Sequence, residues 1–293
     1  MPYPELTVST SPARDGSADA IVLALPPLDE ATTVLTEWPG VEDVLRGVGF
    51  TGAAGTTVRV FAPASTDRPL FVVGTGAAPS ANAIRDAVGA AVRTTTGFAR
   101  LAVAVPHAEG EWRAAAEGAV LGGYRFEDYK TGDSAKTRAT QVTLHLASDV
   151  DEQELRAIDI AGSAVALVKD LVNIPAEWLG PADLAESAVE AVAGLPIDVE
   201  VLDETELAAQ GYGGILGVGK GSDRPPRLVR LTYSPAGAAR HIAVVGKGIT
   251  FDTGGLSLKP PASMVGMKYD MCGAATVLAV LKAVAEMRLP VKV

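Results

Sequence analysis

The chain has 293 residues, of which 48% are hydrophobic and 20% charged, so two domains with substantial cores are expected and wholesale disorder is disfavoured. Its formal net charge is −10, and Lys and Arg do not cluster with aromatics, which disfavours a nucleic-acid or anionic-membrane surface. A single cysteine, Cys272, excludes an intrachain disulfide framework, and neither a signal-peptide layout nor an apolar run of about 18 residues is found, so a cytoplasmic protein is expected.

The first 150 residues alternate between short apolar runs and helical patterns. Alanine, valine and glycine are abundant while aromatics make up 5%, which is typical of parallel α/β architecture. Helical spacing predicts helices at Ala81–Thr95 and Glu109–Gly122, and the stretch Lys130–Thr137 is predicted to be a polar loop. We therefore predict an α/β domain over residues 1–150. Its predicted strands are Ala20–Leu25, Thr57–Ala62, Leu70–Gly74, Leu101–Val105 and Gln141–Leu146.

A long amphipathic pattern covers Glu152–Val172. It ends before Ile174-Pro175, because proline disfavours helical geometry at the residue that precedes it. We interpret residues 151–175 as a helix that links the first domain to a second α/β domain over residues 176–293. In that second domain we predict strands Ile197–Leu202, Arg227–Tyr233 and His241–Val245, and helices from Pro181, over Glu204–Gly211 and over Cys272–Met287.

The last five residues, LPVKV (Leu289–Val293), have the composition of a buried strand at its start. An unpaired apolar strand leaves backbone donors and acceptors without partners. We therefore expect the second domain to be incomplete at its C-terminus in this sequence.

The stretch GILGVGKG, Gly214–Gly221, nearly matches the phosphate-binding loop G-x-x-x-x-G-K-[ST]. Gly221 stands where that motif needs a hydroxyl to hold magnesium. A flexible turn is the favoured interpretation, and a nucleotide-binding or regulatory module is the alternative.

Charged residues are concentrated in Gly246–Gly273, after the predicted strand His241–Val245. Each has an ordinary explanation: Asp252 could shape the glycine turn, Asp270 could cap the next helix, and the lysines could face solvent. Ligands of α/β sheets, however, bind at the carboxyl ends of strands. Carboxylates that converge near buried amines need a compensating cation, which favours a carboxylate-rich divalent metal site.

GKGITFDTGGLSLKP (Gly246–Pro260) followed by MKYDMCGAA (Met267–Ala275) closely resembles the signature of the leucyl aminopeptidase, or cytosol aminopeptidase, family of two-metal exopeptidases. The spacings agree throughout, and family-like segments extend the resemblance over Leu121–Val293. The resemblance implies an N-terminal macro-like α/β domain joined by a long helix to an α/β metallopeptidase domain with a mixed central sheet.

The resemblance also implies roles for individual residues. Lys247, Asp252 and Asp270 correspond to metal ligands, with Lys247 binding as a neutral amine. Lys259 corresponds to a catalytic residue that contacts substrate, and Met267 to a residue that lines the pocket for the first side chain. Two divalent ions per subunit are implied, manganese or zinc, with magnesium or cobalt as further options.

The implied activity is hydrolysis of the N-terminal residue, preferably leucine or another apolar residue, from peptides by a hydroxide held between the two metals. The family's Asn-Thr-Asp-Ala-Glu-Gly-Arg motif, which supplies two more carboxylates and an arginine that holds a bicarbonate, is not reached in this sequence. The fragment by itself is therefore expected to be inactive. A homohexamer is implied, and a noncatalytic assembly subunit of the same fold is an alternative.

Overall fold

The computed structural model describes residues 2–106, 108–131 and 137–293. They form two compact units, Met1–Gly162 and Ser163–Val293. Most of the predicted polar loop Lys130–Thr137 lies outside the described residues.

The first unit is built on a six-stranded sheet with the order β1-β6-β5-β2-β4-β3. All neighbouring strands are parallel except β3 and β4, which are antiparallel. The central strand β2 is buried along its whole length, as expected for a parallel strand covered on both faces. The strands are β1 Glu5–Ser9, β2 Ala20–Leu25, β3 Thr57–Val60, β4 Leu70–Gly74, β5 Arg100–Ala104 and β6 Gln141–His145.

The helices of this unit are α1 Thr32–Leu35, α2 Val41–Gly47, α3 Ala81–Thr94 and α4 Trp112–Gly123, the last preceded by a 3₁₀ turn at Glu109–Glu111. The Ser80 side chain caps α3 by accepting from the Ala83 amide at 3.3 Å. Helices α3 and α4 approach closely because Gly118 and Gly122 lie directly against the α3 backbone at Arg85 and Gly89.

Helix α5, Glu152–Asn173, crosses the boundary between the two units, which falls at Gly162–Ser163. Its end one residue before Ile174-Pro175 follows from the restriction that proline places on the preceding residue. Its role as a linking helix over residues 151–175 stays a prediction.

The second unit contains a two-stranded antiparallel sheet of β7 Ile197–Leu202 and β8 Leu228–Tyr233. Helix α7 begins with a capping box, in which the Asp203 carboxylate accepts from the Glu206 amide while the Glu206 carboxylate accepts from the Asp203 amide. The helices are α6 Pro181–Ala191, α7 Glu204–Ala209, α8 Gly213–Gly219, α9 Pro261–Met264 and α10 Cys272–Glu286, with a 3₁₀ turn at Val265–Tyr269.

Helix α8 covers most of the stretch Gly214–Gly221 that was predicted to be a flexible turn, so this prediction was wrong. The run closes helical hydrogen bonds, such as Leu216 N–H to the Tyr212 carbonyl at 3.2 Å, and Gly219 packs against Pro226. A phosphate-binding loop needs free amides that point at the ligand. Here the stretch forms a helix, whereas the phosphate-binding motif is a loop that precedes a helix, and Gly221 lacks the required hydroxyl.

The predicted strand His241–Val245 is also wrong. The described chain forms only an isolated parallel bridge between His241 and Lys292, with the Ile242 amide donating to the Lys292 carbonyl at 2.9 Å. A strand needs a neighbour along its length, and only Lys292 offers one here. Val245 is therefore 94% exposed. The segment Leu289–Val293, which was expected to begin a strand, forms only this bridge and two backbone hydrogen bonds between Val293 and Tyr233.

The stretch Pro261–Glu286 is apolar and long enough, by composition alone, to cross a membrane. Its longest helix, α10, has 15 residues, about 22 Å of rise, which is less than the roughly 30 Å of a bilayer core. The buried face of α10 contributes Ala275 and Leu278 to the core of the second unit, together with Leu171 of α5 and Leu179. One face of α10 is therefore packed in the core of the second unit.

Glycines bring the segment Gly246–Gly248 into direct contact with the start of α10. A Cβ at Gly246 would lie 2.5 Å from the Gly273 carbonyl oxygen, and a Cβ at Gly273 would lie 2.8 Å from the Lys247 nitrogen. The Ala274 amide donates to the Lys247 carbonyl at 2.8 Å. This close approach fixes the backbone of Lys247 against the first turn of α10.

We expect Gly246→Ala to lower the free energy of unfolding by about 1–3 kcal/mol, because the added methyl group must displace backbone atoms of α10. Gly217→Ala is the matched control, since nothing lies within 4 Å of a Cβ there and Gly217 is helical. The control should be neutral or up to about 1 kcal/mol stabilising. Urea unfolding monitored by circular dichroism compares the two, and equal stability of both variants would contradict the close contact.

We expect Asp19→Asn to destabilise the first unit. The Asp19 carboxylate accepts hydrogen bonds from the Arg100 guanidinium at 2.7 Å and from the Arg100 amide at 2.8 Å. Both bonds lower the pKa of Asp19 below its ordinary value, and the bond from the guanidinium has the larger effect. The stabilisation is therefore fully present above the pKa of Asp19 in the unfolded state, about 3.9. It is lost as the pH falls through the lower pKa of Asp19 in the folded state. The expected loss at pH 7 is about 1 kcal/mol, allowing for solvent screening.

The measurement is urea unfolding of wild type and Asp19→Asn between pH 7 and pH 3, with Asp86→Asn on the exposed face of α3 as the control. The difference between wild type and Asp19→Asn should shrink as pH falls below 4. A difference that does not depend on pH would show that the charge of Asp19 has no such role.

Candidate metal centre

The structure brings Lys247 and Asp270 together. The Lys247 Nζ lies 2.9 Å from Asp270 Oδ1. Lys247 is placed by the glycine contact with α10, and Asp270 follows the 3₁₀ turn Val265–Tyr269, two residues before α10 begins. Residues 23 positions apart in the sequence thus form one ion pair because both lie at the N-terminal end of the same helix.

A second pair joins Asp252 and Lys259 across a tight loop. The Lys259 Nζ is hydrogen bonded to Asp252 Oδ2, and the Asp252 Oδ1 accepts from the Gly254 amide at 2.8 Å. Gly254 has a φ of +90° and lies against the Ser257 carbonyl, so only glycine fits this position without strain. The Lys259 amide closes the loop by donating to the Thr253 carbonyl at 2.9 Å.

Met267 connects the two halves of the cluster. Its Sδ lies 3.3 Å from the Lys259 Nζ, while the Met267 carbonyl accepts from the Asp270 amide at 3.2 Å. The structure therefore brings all five residues predicted for the site into one chain of contacts. We call this set, Lys247, Asp252, Lys259, Met267 and Asp270, the lysine–aspartate cluster.

Electrostatics couple the two ion pairs. Hydrogen bonding to Asp270 raises the pKa of Lys247, and the charge of Asp252 adds to this. Hydrogen bonding from Lys259 and from the Gly254 amide lowers the pKa of Asp252, with a smaller contribution from the charge of Lys247. Both shifts favour the charged forms. Lys247 is 60% exposed and an ammonium in this arrangement, so it can serve as a metal ligand only when a cation displaces its proton.

The donors present fit a divalent cation. Asp270 is only 18% exposed, and its Oδ2 is buried without a hydrogen-bond partner among the described residues. A buried carboxylate oxygen without a partner is costly, and a hard or borderline cation satisfies it. Across residues 2–106, 108–131 and 137–293, no three His, Cys, Asp or Glu side chains meet to form a metal-binding group. The donors here are therefore two carboxylates and an amine.

Sequence reasoning gave no role to Lys268, which lies between Met267 and Asp270. Its Nζ donates to the Asn173 carbonyl at 3.2 Å and lies 5.1 Å from the centre of the Tyr269 ring. The available signal was its position between two predicted site residues. A backbone acceptor 95 residues away could not be read from the sequence.

A separate groove of about 460 Å³ lies in the second unit at the start of α6, where its lining includes Trp178, Asp183 and Arg224. The Arg224 guanidinium donates to the Ala176 and Glu177 carbonyls at 2.9 and 2.6 Å. Asp183 is engaged with the Gly180 amide at 2.8 Å. These polar groups maintain the two loops, and none of the predicted site residues lines the groove.

Two family models match the chain. The catalytic-domain model of the cytosol aminopeptidase family matches residues 166–293, and the N-terminal-domain model of the same family matches residues 35–133. Residues 166–293 include the whole lysine–aspartate cluster.

Individual relatives agree with these matches. A probable cytosol aminopeptidase from Clavibacter michiganensis subsp. michiganensis (strain NCPPB 382) is 48% identical, covering 100% of this chain and 60% of the relative. The solved structure of the bottromycin maturation enzyme BotP in complex with Mn is 31% identical with a TM-score of 0.80, covering 94% of this chain and 58% of that one. A mutant of tomato leucine aminopeptidase, at 24% identity and a TM-score of 0.83, shares the fold over 99% of this chain and 61% of its own.

The predicted α/β fold class is confirmed by the six-stranded sheet and by these structural matches. The chain spans about 60% of the length of the curated relatives it matches. With both domain models of one family matched in order along the sequence, and the predicted signature lying inside the catalytic one, the chain belongs to the cytosol aminopeptidase family.

Proposed function

We propose that this chain belongs to a metal-dependent aminopeptidase that removes the N-terminal residue from peptides, preferably leucine or another apolar residue. The observation that carries the proposal is the Asp270 Oδ2 beside Lys247, which is buried and has no hydrogen-bond partner within the described part of the chain. Family membership supports the peptidase activity, and the BotP relative was solved with Mn.

Lys247, Asp252 and Asp270 are the residues that would hold divalent ions. We propose two ions per subunit, manganese or zinc, with magnesium or cobalt as further options. When bound, such ions lower the pKa of a coordinated water and polarise the scissile carbonyl. Asp270 offers one free oxygen already, whereas the oxygens of Asp252 are engaged with Lys259 and the Gly254 amide.

Lys259 is proposed as the catalytic residue that contacts substrate. Its ammonium is held between the Asp252 carboxylate and the Met267 sulfur, and it is only 27% exposed. A partly desolvated cation of this kind stabilises the negative charge that develops on the carbonyl oxygen when a peptide bond is attacked. The ion pair with Asp252 limits the positions that the long lysine side chain can adopt.

Met267 is proposed to contact the side chain of the residue that is removed. It is half-buried, and its sulfur lies next to the Lys259 ammonium. An unbranched, polarisable side chain packs well against leucine and other apolar groups. In this proposal, the residue that selects apolar side chains, Met267, is adjacent to the residue that stabilises the reacting carbonyl, Lys259.

Further features of the whole protein follow from the family and remain proposals. They are a homohexamer, a cytoplasmic location, peptide substrates with no nucleic-acid or membrane partner, and a bicarbonate ion as general base. The nucleotide-binding alternative is not favoured, because Gly213–Gly219 forms a helix rather than a glycine-rich loop and Gly221 lacks the hydroxyl that the motif requires. A noncatalytic assembly subunit of the same fold would retain these residues without peptidase activity, so a measurement of kcat separates it from an enzyme.

We expect Asp252→Asn and Asp270→Asn to lower the affinity for Mn²⁺ by at least about 10-fold, because each removes an anionic ligand. The measurement is isothermal titration with Mn²⁺ on the protein expressed over the full length of its gene. Asp198→Asn on the exposed face of β7 is the control and should bind as wild type does. Undiminished Mn²⁺ binding by both cluster variants would refute the ligand assignment.

We expect Lys259→Ala to reduce kcat for a chromogenic leucine anilide by roughly 10²–10³, since it removes one transition-state donor. Metal content, measured by elemental analysis, should be unchanged, and Lys220→Ala on the exposed end of α8 should retain full activity. Loss of metal from Lys259→Ala would reassign this residue to a ligand or structural role. Chelation by EDTA should abolish activity, and added Mn²⁺ should restore it.

A further inference from the structure

Lys268 is half-buried on the 3₁₀ turn Val265–Tyr269, between Met267 and Asp270. No carboxylate pairs with it in the part of the chain that the structure describes. Its ammonium instead donates to the backbone carbonyl of Asn173 and lies over the ring of Tyr269. The lysine therefore joins the turn that carries Asp270 to an element from a distant part of the sequence.

The acceptor is a favourable one for a cation. Asn173 is the last residue of α5, so its carbonyl lies at the C-terminal end of that helix. The C-terminal end of a helix also carries partial negative charge, which favours an ammonium at this position.

The end of α5 is a rigid anchor. Leu171, in its last turn, is buried in the same core cluster as Met271 and Ala275, which follow Asp270. The 3₁₀ turn itself has weaker hydrogen-bond geometry than an α-helix. Core packing of Met271 holds the segment on the C-terminal side of Asp270, and Lys268 adds a polar contact from the 3₁₀ turn itself to the end of α5.

We propose that Lys268 is a positioning residue that fixes the Asp270 carboxylate for metal binding by clamping the 3₁₀ turn to the C-terminal carbonyl of α5. This inference rests on the proposed function. Met267, the residue before Lys268, contacts the Lys259 ammonium, and Asp270 contacts the Lys247 ammonium. Movement of this one turn would therefore displace the free Oδ2 of Asp270 and the sulfur of Met267 together.

The chain provides a matched control in Lys282 on α10. The Lys282 Nζ also contacts α5, where it donates to Ser163 Oγ at 3.4 Å, and it forms an ion pair with Glu286 at 2.7 Å. Both lysines thus tie an element of the second unit to α5, but only Lys268 lies beside Asp270. Lys268→Met and Lys282→Met remove each tie while retaining an unbranched apolar stem.

The experiment measures Mn²⁺ dissociation constants by isothermal titration on the full-length protein for wild type, Lys268→Met, Lys268→Arg and Lys282→Met. Lys268→Met should weaken Mn²⁺ binding by about 10–100-fold, as expected when a group that orients a ligand is lost. Lys268→Arg, which can still donate to the Asn173 carbonyl, should restore at least half of that loss on a logarithmic scale. Lys282→Met should bind as wild type does, even if its Tm falls.

Wild-type affinity in Lys268→Met, or an equal loss in Lys282→Met, would overturn the positioning role while leaving the proposed function intact. Absence of Mn²⁺ binding by wild type would overturn both. If Lys268→Met does not fold, Lys268→Gln replaces it, and wild-type Mn²⁺ affinity in that variant would overturn the positioning role in the same way.

Discussion

The organisation of the second unit around its site depends on a buried carboxylate that is only half satisfied. Asp270 gives one oxygen to Lys247 and keeps the other buried without a partner among the described residues. Holding a charge in this state is unfavourable unless the surrounding backbone fixes it and a cation completes it. The glycine contact at Gly246 and Gly273 and the adjoining 3₁₀ turn supply that fixed backbone.

The charges of the lysine–aspartate cluster also constrain its chemistry. Two ammonium groups and two carboxylates sum to zero, so the cluster is neutral as it stands. Addition of divalent cations makes it strongly positive unless Lys247 releases a proton or further anionic groups approach. Hydrogen bonding to Asp270 raises the pKa of Lys247, so the protein environment favours the ammonium. If Lys247 is a metal ligand, as proposed, the incoming ion must displace this proton and open the Lys247–Asp270 pair.

Sequence patterns were most successful where local periodicity and buried surface agreed. The strand Ala20–Leu25 and the helix from Ala81 were predicted within one residue, because a six-residue apolar run has the length of a strand and the longer stretch has a clear amphipathic stripe. Strand β1, Glu5–Ser9, was not predicted, and it forms by parallel pairing with β6, which is more than 130 residues away in the sequence. Helices α1 and α2 are too short to show a period.

Two errors have a common physical origin. The run His241–Val245 has strand composition, but a strand exists only where another chain segment offers backbone partners, and Lys292 alone does so here. The stretch Gly214–Gly221 has loop composition, yet contact of Gly219 with Pro226 accompanies a helix. The first outcome depends on a backbone partner distant in the sequence, and the second shows that composition alone does not exclude a short helix.

The sequence by itself determined the residue types and spacing of the cluster, the α/β class and the absence of a disulfide framework, because these depend on composition and on short-range pattern. Only the tertiary structure decided that Lys247 pairs with Asp270, that Lys259 pairs with Asp252, and that Lys268 reaches the end of α5. These contacts join side chains that are separated in the sequence. Their geometry is fixed by the packing of helix ends and glycines and not by spacing along the chain.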